Sequence, residues 1–203
     1  MTPRSRALMT IAAAFVLASP CLAQSVPNNG LAIFFDQGAT MPCSNASPYT
    51  TVTAYVIAVK LTEPSGIAGW EAGIFTNPET LPVPLTIDIP DCVAGCTLPY
   101  VRVLLASPLA RTDAIRLARL STFYVGGTIL FGLGACQPTS FPENPGPGYR
   151  PGDGSGRLIR FQPFFCTGPV TQDPAWVAGV NANNCCELAG EETSWGAVKS
   201  LYD

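Results

Sequence analysis

Histidine is missing from all 203 residues. Its absence removes Ser-His-Asp and Cys-His catalysis, imidazole metal ligands, and the side chain that ordinarily moves protons near neutral pH. Charge is scarce as well: Asp, Glu, Lys and Arg make up 12% of the chain. The basic residues are scattered apart from Arg111, Arg116 and Arg119, which alternate with apolar neighbours. A nucleic-acid surface needs clustered cations to neutralise phosphates, so no nucleic-acid partner is expected. Beyond residue 23 no apolar run approaches the ~20 residues of a membrane-spanning helix. No segment repeats at a period of about 20–50 residues, which excludes solenoids and propellers.

Glycine (19) and proline (20) are abundant instead, a composition that suits strands joined by ordered loops. At the N-terminus Arg4 and Arg6 precede the apolar run Ala7 to Ala18. Ser19-Pro20 breaks that run, and Cys21-Leu22-Ala23 supplies small residues where a leader is cut. The pattern predicts a signal peptide over 1–23 with a mature chain starting at Gln24. The rival is a lipoprotein acylated at Cys21, for which Pro20 is a poor preceding residue. After cleavage the chain has nine Lys and Arg against fourteen Asp and Glu, a net charge of −5, and length enough for one domain.

Seven cysteines follow the leader: Cys43, Cys92, Cys96, Cys136, Cys166, Cys185 and Cys186. In an exported chain they read as a disulfide framework, and the odd number leaves one thiol free or bonded to another molecule. Cys92 and Cys96 flank a turn and are placed to bridge it. Cys136 and Cys166 stand at opposite ends of a Pro/Gly-rich stretch. Cys43 is then left for Cys185 or Cys186, tying the chain ends together. A bridge between the adjacent Cys185 and Cys186 would be strained, because neighbouring Cα atoms lie only about 3.8 Å apart. Zinc held by Cys92, Cys96, Cys185 and Cys186 is the alternative, without the two tight pairs of a zinc ribbon.

Runs rich in β-branched and aromatic residues are bounded by turn signals throughout. Strands are expected at Leu31–Phe35, Thr50–Leu61, Ile67–Phe75, Tyr100–Ala106, Ile115–Val125, Thr128–Leu133, Leu158–Phe165 and Ala175–Val180. Leu81–Ile89 is extended but confined to an edge or an irregular run by Pro82, Pro84 and Pro90. Ile115, Leu117 and Leu120 also fit one helical face, yet the run continues into β-prone Thr122-Phe123-Tyr124-Val125. Gln137 to Arg157 is a long loop excursion. The expectation is an all-β chain: one antiparallel, disulfide-stapled sandwich over 24–190.

With histidine gone, the remaining hydrolytic chemistry is a carboxylate pair, for which Glu71, Asp88 and Asp91 are candidates. A strand Glu is more commonly a solvated face, so no catalytic residue is expected. Asp153 in PGDGSG, with Asp36, offers oxygens for Ca²⁺ but no D-x-D-x-D run, and a turn with Asp153 bonding its own backbone is the simpler reading. No metal or cofactor is therefore expected. Sugar binding would need exposed planar aromatics. Trp70 and Trp176 fall inside strand runs and read as core, as distinct from Tyr55 and from Tyr149, the loop residue best placed for ligand contact. Asn45-Ala46-Ser47 is a formal glycosylation sequon.

The run TVTAYVIAVKLTEPSGIAGWEAGIF (Thr51 to Phe75) resembles the opening of cohesin-like β-sandwiches. Four motifs are similar to a group of secreted bacterial β-sandwich proteins of uncharacterised activity: LAIFFD at Leu31, PSGIAGWE at Pro64, Tyr149 to Leu158 around GDGSG, and a closing SWGAVKSLY. The resemblance implies a cohesin-like or Ig-like sandwich and carries no catalytic residue.

The chain closes with an amphipathic segment over 191–203 that places Trp195, Val198, Leu201 and Tyr202 on one helical stripe. A helix this short is marginal alone in water, so it either caps the sandwich or docks a partner. The function expected is a secreted, non-enzymatic binding or structural module, periplasmic, surface-bound or extracellular, with a protein or polysaccharide ligand. The alternative is an extracellular glycan hydrolase working through carboxylates.

Overall fold

A computed structural model describes residues 26–95, 97–165, 168–169 and 174–182. The leader over 1–23, Cys96, Cys166, Cys185, Cys186 and the closing stripe of Trp195, Val198, Leu201 and Tyr202 lie outside the described residues. In chain order the strands are β1 (Gly30–Phe34), β2 (Cys43–Ser44), β3 (Thr50–Val59), β4 (Ile67–Asn77), β5 (Thr86–Asp88), β6 (Cys92–Ala94) and β7 (Tyr100–Leu109). They continue as β8 (Ala114–Tyr124), β9 (Ile129–Gly134), β10 (Gly148–Pro151), β11 (Ile159–Arg160), β12 (Gln162–Phe165), β13 (Gly168–Pro169) and β14 (Ala175–Val180).

Two sheets result. Sheet one runs β13-β12-β1-β3-β8-β5, and sheet two runs β11-β10-β4-β9-β14-β2 with β7 and β6 added beside β4. Alternate residues of both sheets meet in one apolar cluster: Leu31, Ile33, Val52, Val56 and Leu120 from sheet one, Trp70, Ile74, Val101, Phe131 and Val177 from sheet two. The chain is thus an all-β, two-layer sandwich. Its ladders are not uniformly antiparallel as expected, because β1–β12 and β14–β2 pair in parallel.

The helix-like spacing in β8 has a local cause. Val56 pairs with Ala118 and Ile57 with Arg116, so Leu117 is the extra residue of a β-bulge. Ile115 and Leu117 face the core before it, Ala118 and Leu120 after it, and all four are buried. A change of parity in a strand imitates a helical period. On the outward side of sheet one a smaller cluster forms from Ala32, Phe34, Ile57, Val59 and Phe164, with Phe34 and Phe164 ring centroids 6.0 Å apart.

Two asparagines in the left-handed region, Asn29 (φ 52) and Asn181 (φ 48), organise the loops. Asn is among the few non-glycine residues that take this conformation routinely. Asn29 Oδ1 accepts from Thr62 N and Tyr149 Oη, each at 2.9 Å. Asn181 accepts from Ala46 N at 3.0 Å and donates to Ala46 O at 2.9 Å, fixing the loop between β2 and β3 against the end of β14. The turn before β4 depends on Gly66 (φ +74), where a Cβ would lie 1.9 Å from the Leu109 carbonyl oxygen.

The cysteine framework needs one correction. Cys136 is a free, buried thiol and does not bridge the Pro/Gly loop to Cys166. It sits beside Arg102 and Glu71, and burial raises its pKa above the ordinary 9.0. Cys43 and Cys92 are disulfide-bonded, although no disulfide has both sulfurs among the described residues. A bonded Cys92 offers no thiolate to zinc.

Candidate functional site

Glu71 is one of the three carboxylates open to acid catalysis by sequence, and its surroundings assign it other work. In β4 the parity that sends Trp70, Ala72 and Ile74 into the core turns Glu71 outward. There the loop between β9 and β10 covers it, leaving it 3% exposed. Its carboxylate accepts hydrogen bonds from Ser140 N (2.8 Å), Ser140 Oγ (2.6 Å) and Arg102 Nε (3.1 Å). Arg102 also donates to the Pro138 carbonyl. Such a carboxylate has its lone pairs occupied by its own chain.

Asp88 lies on β5, where Ile87 packs against the core and Asp88 faces outward from sheet one. Glu71 and Asp88 therefore point away from each other on opposite sides of the sandwich. Asp91 (φ 54) occupies the turn before β6. A glycosidase pair must flank one bond with its carboxyls about 5–9.5 Å apart, which Glu71 and Asp88 on opposite faces do not.

Tyr149 is placed in the core and not on an exposed loop: it is 0% exposed, on β10, stacked on Phe161 with ring centroids 4.8 Å apart. Burial raises its pKa above the ordinary 10.0. No ring face is left for a ligand. Asp153 is exposed and accepts from Ser155 N at 2.9 Å, the turn geometry that lowers its pKa. Asp36 is occupied by Gly38, Thr40 and Met41 of its own loop. Among the described residues no three His, Cys, Asp or Glu side chains gather into a metal-sized group. Tyr55 faces outward on sheet one, with the Arg116 guanidinium 6.0 Å from its ring centre.

A different set of residues does converge. On the outward side of sheet two, Phe75 of β4 pairs with Gly132 of β9, and Gly132 pairs with Trp176 of β14. Directly paired residues share a face, so the three form one row across three strands. A Cβ on Gly132 would lie 3.0 Å from both Cε3 and Cζ3 of Trp176, which shows the indole laid over the glycine. Phe75 covers Gly73 similarly, with Cε2 and Cζ at 2.6 and 2.7 Å from a Cβ there. Tyr100, opposite Gly73, meets Phe75 edge to face with centroids 6.0 Å apart.

These three aromatics are half-buried and line a cleft of about 650 Å³, together with Leu81, Pro84 and Leu85. Asn77, Glu79 and Thr80 form its polar rim. Trp176, expected in the core, is thus at the surface, while Trp70 is buried as expected (2% exposed).

No protein-family model matches the chain. No curated protein matches it either. Among solved structures it is similar to the sixth cohesin of scaffoldin B from Acetivibrio cellulolyticus, crystallised in complex with a mutant Cel5 dockerin. That likeness has a TM-score of 0.46 at 11% identity and covers 76% of this chain and 99% of the cohesin. No residue role is transferred from it, and the chemistry of the cleft rests on the residues above.

The aromatic row was missed in the sequence although its signal was present. In IAGWEAGIF, Phe75 shares parity with Gly69, Glu71 and Gly73, the outward set, and Trp176 falls between the inward Ala175 and Val177. Reading parity strand by strand separates Phe75 and Trp176 from Trp70.

Proposed function

We propose that the protein is a secreted, non-enzymatic binding module whose ligand occupies the cleft between Phe75, Tyr100 and Trp176. The observation carrying this is the row of glycine-backed rings, half-buried and facing the cleft. Rings held flat by the backbone beneath them present a preformed apolar surface with little side-chain entropy left to lose on binding. Glu79 is the one acidic side chain among the described residues lining the cleft, so a carboxylate-pair hydrolase draws no support from it. Export through the 1–23 leader, and bridges from Cys92 to Cys96 and from Cys43 to Cys185 or Cys186, belong to the same proposal.

The test is a glycan and peptide array probed with the chain from Gln24 onward, alongside Trp176→Ala. Retention of a defined ligand that falls at least about tenfold in the variant, a loss of ~1.4 kcal/mol, supports the reading. Retention indifferent to Trp176 removes the cleft from function. Turnover of any arrayed glycan removes the non-enzymatic part. Amino-terminal sequencing of exported protein checks the cut before Gln24, and non-reducing peptide mapping checks the bridges.

A further inference from the structure

Taking the cleft as the binding surface, we infer that its ligand is a neutral polysaccharide, held with its sugar rings against Phe75 and Trp176. Three features lead there. Phe75 and Trp176 stand on strands separated only by β9, about 10 Å apart at two strand spacings. Gly132 between them is covered by the Trp176 indole and Gly73 by the Phe75 ring, so the two rings belong to one apolar surface. A carbohydrate chain presents apolar C–H faces along its length, and an aromatic surface is apolar and electron-rich, which suits those C–H groups.

The second feature is the rim. Asn77, Glu79 and Thr80 line the cleft beside the rings and are exposed. Their side chains make no hydrogen bond or ion pair with other described residues. An amide offers two donors and an acceptor, a carboxylate accepts only, and a hydroxyl does both. That mixture matches the hydroxyl groups of a sugar, each a donor and an acceptor. An apolar peptide would leave the Glu79 carboxylate and the Asn77 amide without partners.

The third feature is charge. The described lining contains no Lys or Arg, and the chain as a whole is acidic, with a pI near 4.9. Uronic acids and sulfated sugars would meet the Glu79 carboxylate with no counter-charge. Neutral sugars carry no such penalty.

Affinity electrophoresis through gels containing hydroxyethylcellulose, galactomannan, dextran or alginate tests this, using the disulfide-intact chain from Gln24 onward. At least one neutral polymer is expected to retard the protein, and anionic alginate is not. Retardation should persist from about 0.05 to 0.5 M NaCl, because no ion pair is involved. Trp176→Ala should weaken it at least about tenfold, and Glu79→Ala, at an exposed position that leaves folding intact, about threefold or more, as expected for one lost hydrogen bond. Failure of all the neutral polymers to retard the wild-type protein overturns the inference. So does retardation that vanishes in salt, or one that Trp176→Ala and Glu79→Ala leave unchanged. If an extended peptide binds instead, and Trp176→Ala abolishes it, the sugar assignment falls while the cleft remains the binding surface. If neither sugar nor peptide depends on Trp176, both fall together.

Discussion

Replacing Glu71 by alanine decides whether its carboxylate is a structural latch or a catalytic group. The substitution removes three hydrogen bonds, from Ser140 N, Ser140 Oγ and Arg102 Nε. They differ in worth. The Arg102 side chain is 48% exposed, so its guanidinium rehydrates and its share is about 0.5 kcal/mol. The Ser140 amide donates to a carboxylate side chain only 4% exposed, and losing a charge-assisted bond of that kind costs about 1.5–3 kcal/mol. With the hydroxyl bond added, the expected loss is about 3 kcal/mol. For a chain of this size that lowers Tm by about 6–12 °C. Urea unfolding followed by circular dichroism should show a lower midpoint with an unchanged slope. Ser140→Ala, which keeps the amide bond, should cost only about 1 kcal/mol. A Glu71→Ala protein melting within about 2 °C of wild type would refute the latch. Full stability combined with loss of a glycan-cleaving activity would restore the catalytic reading.

Tyr149→Phe removes the hydroxyl and with it the bond to Asn29 and should cost about 1 kcal/mol, while Tyr149→Ala empties a fully buried ring site and should cost about 4 kcal/mol; chemical denaturation distinguishes them, and neither should alter retention of the cleft ligand. The Cys136 thiol should resist iodoacetamide in the native protein and react once unfolded, as alkylation mapping would show. Because burial raises both Cys136 and Tyr149 above their ordinary 9.0 and 10.0, their neutral forms belong to the folded state. Their contribution is fully present below pH 9.0 and is lost as pH rises; Cys136→Ala should flatten the first part of that alkaline decline. Gly66→Ala should cost about 3 kcal/mol or more, since it combines a positive φ with a clash against the Leu109 carbonyl; a variant as stable as wild type would mean that the turn rearranges freely.

Strand periodicity carried most of the architecture. Thr50–Leu61 and Ala175–Val180 announced β3 and β14 because burial on a pleated sheet selects every second side chain. The short strands β2, β6, β10 and β13 were not visible, since two to four residues hold no period and their pairing is set by the strands beside them. Tyr149 was misplaced for that reason: β10 lies within a Pro/Gly-rich stretch, and only its ladder with Trp70 and Gly69 of β4 shows that the tyrosine turns inward. The two asparagine hubs were equally hidden, because a left-handed Asn in sequence is just another loop residue. The cleft falls between these cases. Its rings were noticed as aromatics, but their facing depends on which parity each strand buries, and the glycines beneath them count only once strands are paired.

The junction around Glu71 has a consequence for how this chain can change over evolutionary time or by design. Strand β4 carries β7 along one edge, while β9 (opposite 73–77) and β10 (opposite 67–71) share the other. The chain leaves that shared edge at Gly134 and returns to it at Gly148, so the ladders on either side are set by β4 and not by what lies between. Loop closure becomes only slowly costlier with length. The intervening segment is therefore an exchangeable cassette, whose substitutes must supply an amide and a hydroxyl for the Glu71 carboxylate and carbonyls for Arg102 and Arg160.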